Sequence, residues 1–353
     1  MRLQETFFKV AIPLIAILLA FLVGGMIIVA IGKSPMEAYL FLFKGSFGSE
    51  AALATTLVKA TPLIFTGLAA TFAYRCGVFN LGAEGQFIMG SIASIMVATL
   101  LPKAVALPAP IIFIISMIAG IVFGGFWGAL PGMLKVWRGL NELIVSILLN
   151  YVATLFMSYL VNGPMMERNI PQTAAVGDQL RIPLLSNTMR LHYGFFAALL
   201  VALLIHYFLF QTSKGLQLRS VGLNQMASKV YGINVSRFVL ISFIISGAIA
   251  GLGGSIEVHG YSFRLMPGYG SGFGFDGVAI ALIGQLNPIG TVIAACFYAA
   301  LRTGANMMQV ASGIPTSVVA IVQALVIIFV IAGTALTNLP KTKALLLKVF
   351  KEV

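Results

Sequence analysis

Apolar runs of about 20 residues recur along the chain, separated by short polar breaks, and that length is what a helix needs to cross a bilayer. Ten segments are expected as spans: 7–31, 51–74, 79–101, 109–134, 141–162, 190–210, 236–257, 272–286, 288–310 and 315–337. The eighth is short, since 15 residues at 1.5 Å each cover only about 22 Å of a ~30 Å hydrocarbon core. No sustained alternation of apolar and polar positions marks barrel strands. The fold class predicted is therefore an all-α polytopic membrane protein, one transmembrane domain over 1–353 with a long loop at 211–235.

Composition agrees with the pattern. Of 353 residues 59% are apolar and 9% charged, too few charges to cover a soluble protein of this size. The net charge of +12 reads as topology rather than as nucleic-acid binding. With the N-terminus inside, the internal segments hold thirteen Lys and Arg: Arg2, Lys9, Arg75, Lys135, Arg138, Lys214, Arg219, Lys229, Arg237, Lys341, Lys343, Lys348 and Lys351. The external segments hold seven: Lys33, Lys44, Lys103, Arg168, Arg181, Arg190 and Arg264. That asymmetry predicts both termini in the cytoplasm. The first run is too long for a signal-peptide core and is expected to be a retained span. Cys76 and Cys296 form neither a disulfide framework nor a zinc spacing.

Against this background the polar interruptions stand out. "GVFNLGAEGQFIMGSI" (77–92) places Asn80, Glu84 and Gln86 among glycines in the third segment, and "GYGSGFGFDGVAIALIG" (268–284) places Asp276 in the eighth. Paired glycine-broken segments in two halves predict an inverted repeat, spans 2–5 against 7–10, with discontinuous helices. Two readings of each stand. Asn80 caps a helix beginning near Leu81 with Glu84 facing its positive end, or the half-helix lines a solute path. Arg302 and Lys59 lie within spans, and a structural ion pair with a buried carboxylate is the reading preferred for Arg302.

Glycines every four residues (Gly120, Gly124, Gly128 and Gly132), with Gly247, Gly251 and Gly254 spaced much the same, predict a smooth stripe for close helix contact. In "GLNQMASKVYGIN" (222–234), Asn224 is a good N-cap and Gly232 a good C′ residue around a two-turn helix bearing Met226, Ala227, Val230 and Tyr231. So short a helix must pack on something: the ends of the spans, or a groove of a partner protein. No P-loop, HExxH or GxSxG is present, so this chain is not expected to hydrolyse ATP or to be an enzyme. His192, His206 and His259 are widely spaced and read as structural.

Five stretches carry a family resemblance: "FNLGAEGQFIMGS" (79–91), "NELIVSILLNYVA" (141–153), "VGLNQMASKVYGINV" (221–235), "FDGVAIALIGQLNPIG" (275–290) and "ALRTGANMMQ" (300–309). In this order they resemble the membrane permeases of bacterial ABC importers for nucleosides, the simple sugar or nucleoside branch of the branched-chain amino acid and ribose permeases. The likeness runs from about Lys33 to Thr334, with a modest departure near Gln285, where relatives often carry a basic residue. It implies a ten-span inverted-repeat fold in the bacterial plasma membrane. The partners implied are a second permease subunit, usually as a heterodimer, an ABC ATPase with two nucleotide-binding modules, and an extracytoplasmic solute-binding lipoprotein. No cofactor is expected on this chain, and ATP-Mg belongs to the ATPase.

The resemblance also places the coupling helix at Gly222, Asn224, Met226, Ala227, Val230, Tyr231 and Gly232. A nucleoside path between subunits needs neutral donors, acceptors and aromatic surface. The candidates are Asn80, Gln86, Asn141, Asn150 and Asn306, with Phe79 and Tyr151 as stacking surfaces. Glu84, Asp276 and Arg302 are read as structural or gating groups. The rival readings are an ABC permease for ribose or another simple sugar, and a secondary transporter driven by protons through Glu84 and Asp276.

Overall fold

The computed structural model describes residues 2–185 and 190–338, with side chains described over 13–333. The C-terminal lysines Lys341, Lys343, Lys348 and Lys351 lie outside the described residues. The chain is all-α. Its helices are α1 (Arg2–Ala30), α2 (Pro35–Phe47), α3 (Glu50–Arg75), α4 (Ala83–Ala104), α5 (Ala109–Arg138), α6 (Glu142–Asn162) and α7 (Gly194–Gln211). Then follow α8 (Ser213–Leu223), α9 (Gln225–Val230), α10 (Val235–Glu257), α11 (Phe273–Ile283), α12 (Pro288–Ser312) and α13 (Thr316–Asn338). Among the described residues nine helices are long and apolar enough to cross a membrane.

All ten expected segments form helices, with bounds within a few residues, but the eighth is shorter than expected. It is α11, 11 residues or about 16 Å, and cannot span alone. Gly268, Gly270 and Gly272 all have positive φ, so the chain before Phe273 is coiled rather than helical.

The described residues pack as two compact units, one drawn from the chain up to Leu53 and from Ala300 onward, the other from Ala54–Ala299. In the first, α1 lies along α13, with Gly24 facing Val322. Helix α2 was not among the expected elements, although its start is written in the sequence. Ser34 accepts from the Glu37 amide (3.4 Å) and Pro35 opens the first turn. One face of α2 buries Ala38, Leu42, Gly45 and Ser46, while Met36, Leu40, Phe43 and Phe47 stay exposed. Gly45 and Gly304 bring its backbone against α12, where the Ser46 hydroxyl donates to the Ala300 carbonyl (2.5 Å).

In the second unit the glycine stripes meet as expected. A Cβ on Gly124 would lie 2.5 Å from the Gly247 carbonyl oxygen and 2.7 Å from Gly251 Cα. Gly128 faces Phe243 and Gly247, so α5 and α10 touch backbone to backbone. Gly90 of α4 closes on Gly251 from another side. Nearly every α3 residue from Val58 to Ala73 is buried, as an all-round apolar helix should be.

At its far end α10 loosens into a π-turn, Val258–Ser262, and Phe263 follows in the left-handed region. The loop between α6 and α7 straps onto this turn. The amides of Thr173, Val176 and Ile182 donate to the carbonyls of Leu265, Phe263 and His259 (3.0, 2.8 and 2.9 Å). Arg264 pairs with Glu167, and Arg181 stacks on Phe263.

Candidate functional site

The polar residues of the third segment build a knot around the start of α4. After α3 the chain turns at Gly77 (φ 71°) and runs non-helically to Gly82. Asn80 is fully buried. Its amide nitrogen donates to Gln86 Oε1 (3.0 Å) and Ser246 Oγ (2.9 Å). Its oxygen accepts from the Gly82 amide (2.9 Å) and Gln86 Nε2 (3.1 Å). All four hydrogen-bonding positions of that side chain are filled. Asn150 clamps the same turn from α6, accepting from the Gly85 amide and donating to the Leu81 carbonyl, each 2.8 Å.

This corrects the expected capping. The N-cap of α4 is Gly82, two residues beyond Asn80, and side chains from Asn80 and Asn150 satisfy the amides that a helix start leaves open. Ser246 was not foreseen. It sits on α10, 166 residues away, and its hydroxyl donates to the Ala69 carbonyl (2.8 Å).

Glu84 lies in the first turn of α4, but its carboxylate serves a different helix. Oε2 accepts from the Gly272 amide (3.0 Å), the N-cap position of α11. Gly274 lies so close that a Cβ there would meet the Glu84 amide and Cβ. The N-termini of α4 and α11 thus abut, and two positive dipole ends face each other. Glu84 and Asp276, each in a first turn, supply the negative charge that offsets them. The Tyr298 hydroxyl donates to Asp276 Oδ1 (2.9 Å). Phe87 packs against Tyr269 and Phe273 beside the junction, with ring centroids 5.9 and 5.5 Å away.

The expected path residues therefore separate. Asn80, Gln86 and Asn150 come together, buried and bonded to one another or to backbone. Phe79, beside this knot, is half exposed, edge-to-face with Tyr74. Tyr151 is exposed on α6. Asn141 caps α6, accepting from the Leu143 amide (2.9 Å). Arg302 and Asn306 are exposed on the part of α12 that belongs to the first unit.

The segment between α7 and α10 holds the second candidate feature. Thr212 caps α8, accepting from the Gly215 amide (3.0 Å) and donating to the Phe208 carbonyl (2.6 Å). Asn224 then caps α9 through the Ala227 amide (2.9 Å), and Gly232 (φ 77°) ends it, both as expected. Helix α9 has six residues. It does not turn its apolar side chains inward. Leu223, Met226, Val230 and Tyr231 are 89%, 73%, 81% and 85% exposed. Ala227 is exposed too, while Gly222 is pressed on the Arg75 carbonyl and Gly77. Lys214, Arg219, Lys229 and Arg237 lie in the same stretch of chain, and the sequence has no Asp or Glu from 179 to 256.

A family model described as "Branched-chain amino acid transport system / permease component" matches residues 52–331, which takes in the broken pair and the α8–α9 segment. The chain belongs to this permease family. Among its relatives is the guanosine ABC transporter permease protein NupP of Bacillus subtilis, 38% identical over 92% of this chain and 94% of that one. The glucose ABC transporter permease protein TsgB13 of Haloferax volcanii is 34% identical over 91% of this chain and 87% of its own length. The nucleoside ABC transporter permease protein NupB of Lactococcus lactis subsp. cremoris is 34% identical over 96% and 95%. B. subtilis also has a second, less similar guanosine permease, NupQ, 30% identical over 69% of this chain. As a permease the chain is a transport component and a multi-pass membrane protein.

Proposed function

We propose that this permease is the membrane subunit of an ATP-driven importer that carries nucleosides across a bacterial plasma membrane. The observation that carries the reading is the exposed apolar crest of α9, held by Asn224 and Gly232 on a helix too short to stand in water alone. It needs a partner's groove, and the basic, acid-free stretch of chain that carries it favours an acidic rim on that groove. The partner is an ABC ATPase with two nucleotide-binding modules, which holds ATP-Mg. The α8–α9 side is then cytoplasmic, as are both termini, in keeping with the Lys and Arg distribution. On the opposite face an extracytoplasmic binding lipoprotein delivers solute. A second permease completes the path, and the pairing of NupP with NupQ in one organism supports a heterodimer.

Nucleoside is the solute class because two of the three nearly full-length relatives named above are guanosine or nucleoside permeases. Phe79 and Tyr151 offer exposed aromatic surface for a base, while Asn80, Gln86 and Asn150 hold the backbone behind Phe79. The glucose relative favours a sugar as the second reading.

The test is reconstitution with the partner permease, ATPase and delivery protein, measuring uptake of labelled uridine, adenosine and ribose. Nucleoside uptake that stops with an ATPase-dead partner is expected, and ribose uptake alone would change the solute. Uptake that persists without the ATPase and follows a proton gradient would return Glu84 and Asp276 to the role of proton carriers. Tyr231→Asp should reduce uptake to background and release the ATPase while the permease still inserts. Normal uptake by that variant removes α9 as the docking element.

A further inference from the structure

The base of the broken pair contains a strained turn. Between α11 and α12, Gln285 (φ 54°) and Leu286 (φ 55°) are consecutive non-glycine residues in the left-handed region. One such residue is uncommon, and for a bulky side chain like leucine it costs energy that surrounding contacts must supply. Those contacts come from the end of α3. Arg75 Nε donates to the Leu286 carbonyl (2.7 Å) and Nη2 to the Gln285 carbonyl (3.4 Å), so one guanidinium holds both strained peptides. Below it the hydroxyls of Thr71 and Thr291 meet at 2.8 Å and fasten α3 to the first turn of α12.

The same guanidinium reaches the α8–α9 side. Arg75 and Arg219 both lie over the ring of Phe210, at 5.4 and 4.9 Å from its centroid. Phe210 ends α7 and Arg219 sits in the middle of α8. Two like charges around one ring repel, so the stack persists only while α8 is held in place. Two close approaches hold it: Gly215 on the backbone of Phe208 and Leu209, and Gly222 on Arg75 and Gly77. Helix α8 therefore touches the root of both broken elements. Through Gly222 it meets the strut that leads to α4. Through Arg219, Phe210 and Arg75 it meets the turn that ends α11. The far ends of those two elements meet again at Glu84 and Gly272.

We propose that Arg75 is a positioning residue for transport, passing displacement of the α8–α9 segment to the Gln285–Leu286 turn and so to the α4–α11 junction. The turn is the two-state element. With Arg75 in place it is left-handed, and when displacement of α8 shifts Phe210 and draws Arg75 off the two carbonyls it relaxes toward ordinary backbone. This inference rests on the importer reading above.

The experiment uses the whole reconstituted importer and reads three quantities: co-purification of the ATPase, its basal ATP hydrolysis, and labelled adenosine taken up per ATP hydrolysed. Arg75→Ala should leave the first two within about twofold and lower the third by tenfold or more. Arg75→Lys, which keeps a charged donor for Leu286, should recover part of that loss. Phe210→Leu keeps apolar volume but removes the ring face, and should lower the ratio about threefold. A purely structural Arg75 would lower assembly, hydrolysis and uptake together, and that result overturns the inference, as does an unchanged ratio in Arg75→Ala. Absence of ATP-driven uptake by the unaltered complex would overturn the importer reading itself, whereas proportional losses in the variants alone overturn only the relay.

Discussion

At the α5–α10 seam two helices touch along facing glycines, whereas at the α4–α11 junction one glycine, Gly274, lets two helix ends meet and a carboxylate, Glu84, bridges them. The seam sets glycines against glycines and the Phe243 backbone, and an added Cβ has no room there. The junction is a carboxylate on an open amide, a contact that can be released and remade. One architecture thus holds a fixed bearing and an exchangeable joint within the same unit. The contrast is between contact by volume alone and contact that also carries charge.

The comparison breaks most sharply if volume is returned to the seam. Gly124→Val should cost roughly 3 kcal/mol or more, because the new carbons would collide with backbone rather than with a movable side chain. Thermal unfolding in detergent should show the loss. Gly177→Ala, whose new Cβ meets nothing within 4 Å, should stay within about 0.5 kcal/mol of the unaltered protein. An equal loss in both would mean that the seam is no tighter than a loop.

Charge tests the far end of α10 as volume tests its middle. His192 is fully buried against Gly260, both ring nitrogens find no partner among the described residues, and burial pushes its pKa down to about 4. The unfolded chain, near 6.5, takes up a proton first as pH falls, so stability is complete above about pH 6.5 and is lost on the way down to about 4. At pH 5 the loss from this group is about 2 kcal/mol. His192→Phe should lack it, which unfolding of the two proteins from pH 7 to 5 can decide. A variant as acid-sensitive as the original would assign the effect elsewhere.

Apart from the Gly177→Ala control, the smallest effect is expected at the junction. Glu84→Ala removes the acceptor for the Gly272 amide and should cost about 1–2 kcal/mol, while Glu84→Gln keeps an acceptor and should cost about half of that. If both variants fall as far as Gly124→Val, the joint is as fixed as the seam and the contrast disappears.

The same contrast governs what could be read from the sequence. The seam was legible because helical contact leaves a period of four in one stretch of chain, and the α9 caps were legible because Asn224 and Gly232 act on their immediate neighbours. Helix α2 carried a readable Ser34–Pro35 start that went unread under the stronger apolar runs. The spans were located, but the true length of α11 depended on the left-handed Gln285–Leu286 turn, which ends the helix three residues early. The junction was not legible. Glu84 finds Gly272 across 188 positions, Asn80 finds Ser246 across 166, and Arg75 finds Leu286 across 211. No periodicity links such partners, so Asn80 was expected to cap its own helix and instead fills all its bonds at a crossing of three segments.

A long loop on a membrane protein is ordinarily where a protease cuts first. Here Thr173, Val176 and Ile182 give their amides to the carbonyls of Leu265, Phe263 and His259, so cleavage at those positions waits on the π-turn letting go. Its susceptibility to cleavage would report how often the last turn of α10 opens, a natural gauge that needs no attached label.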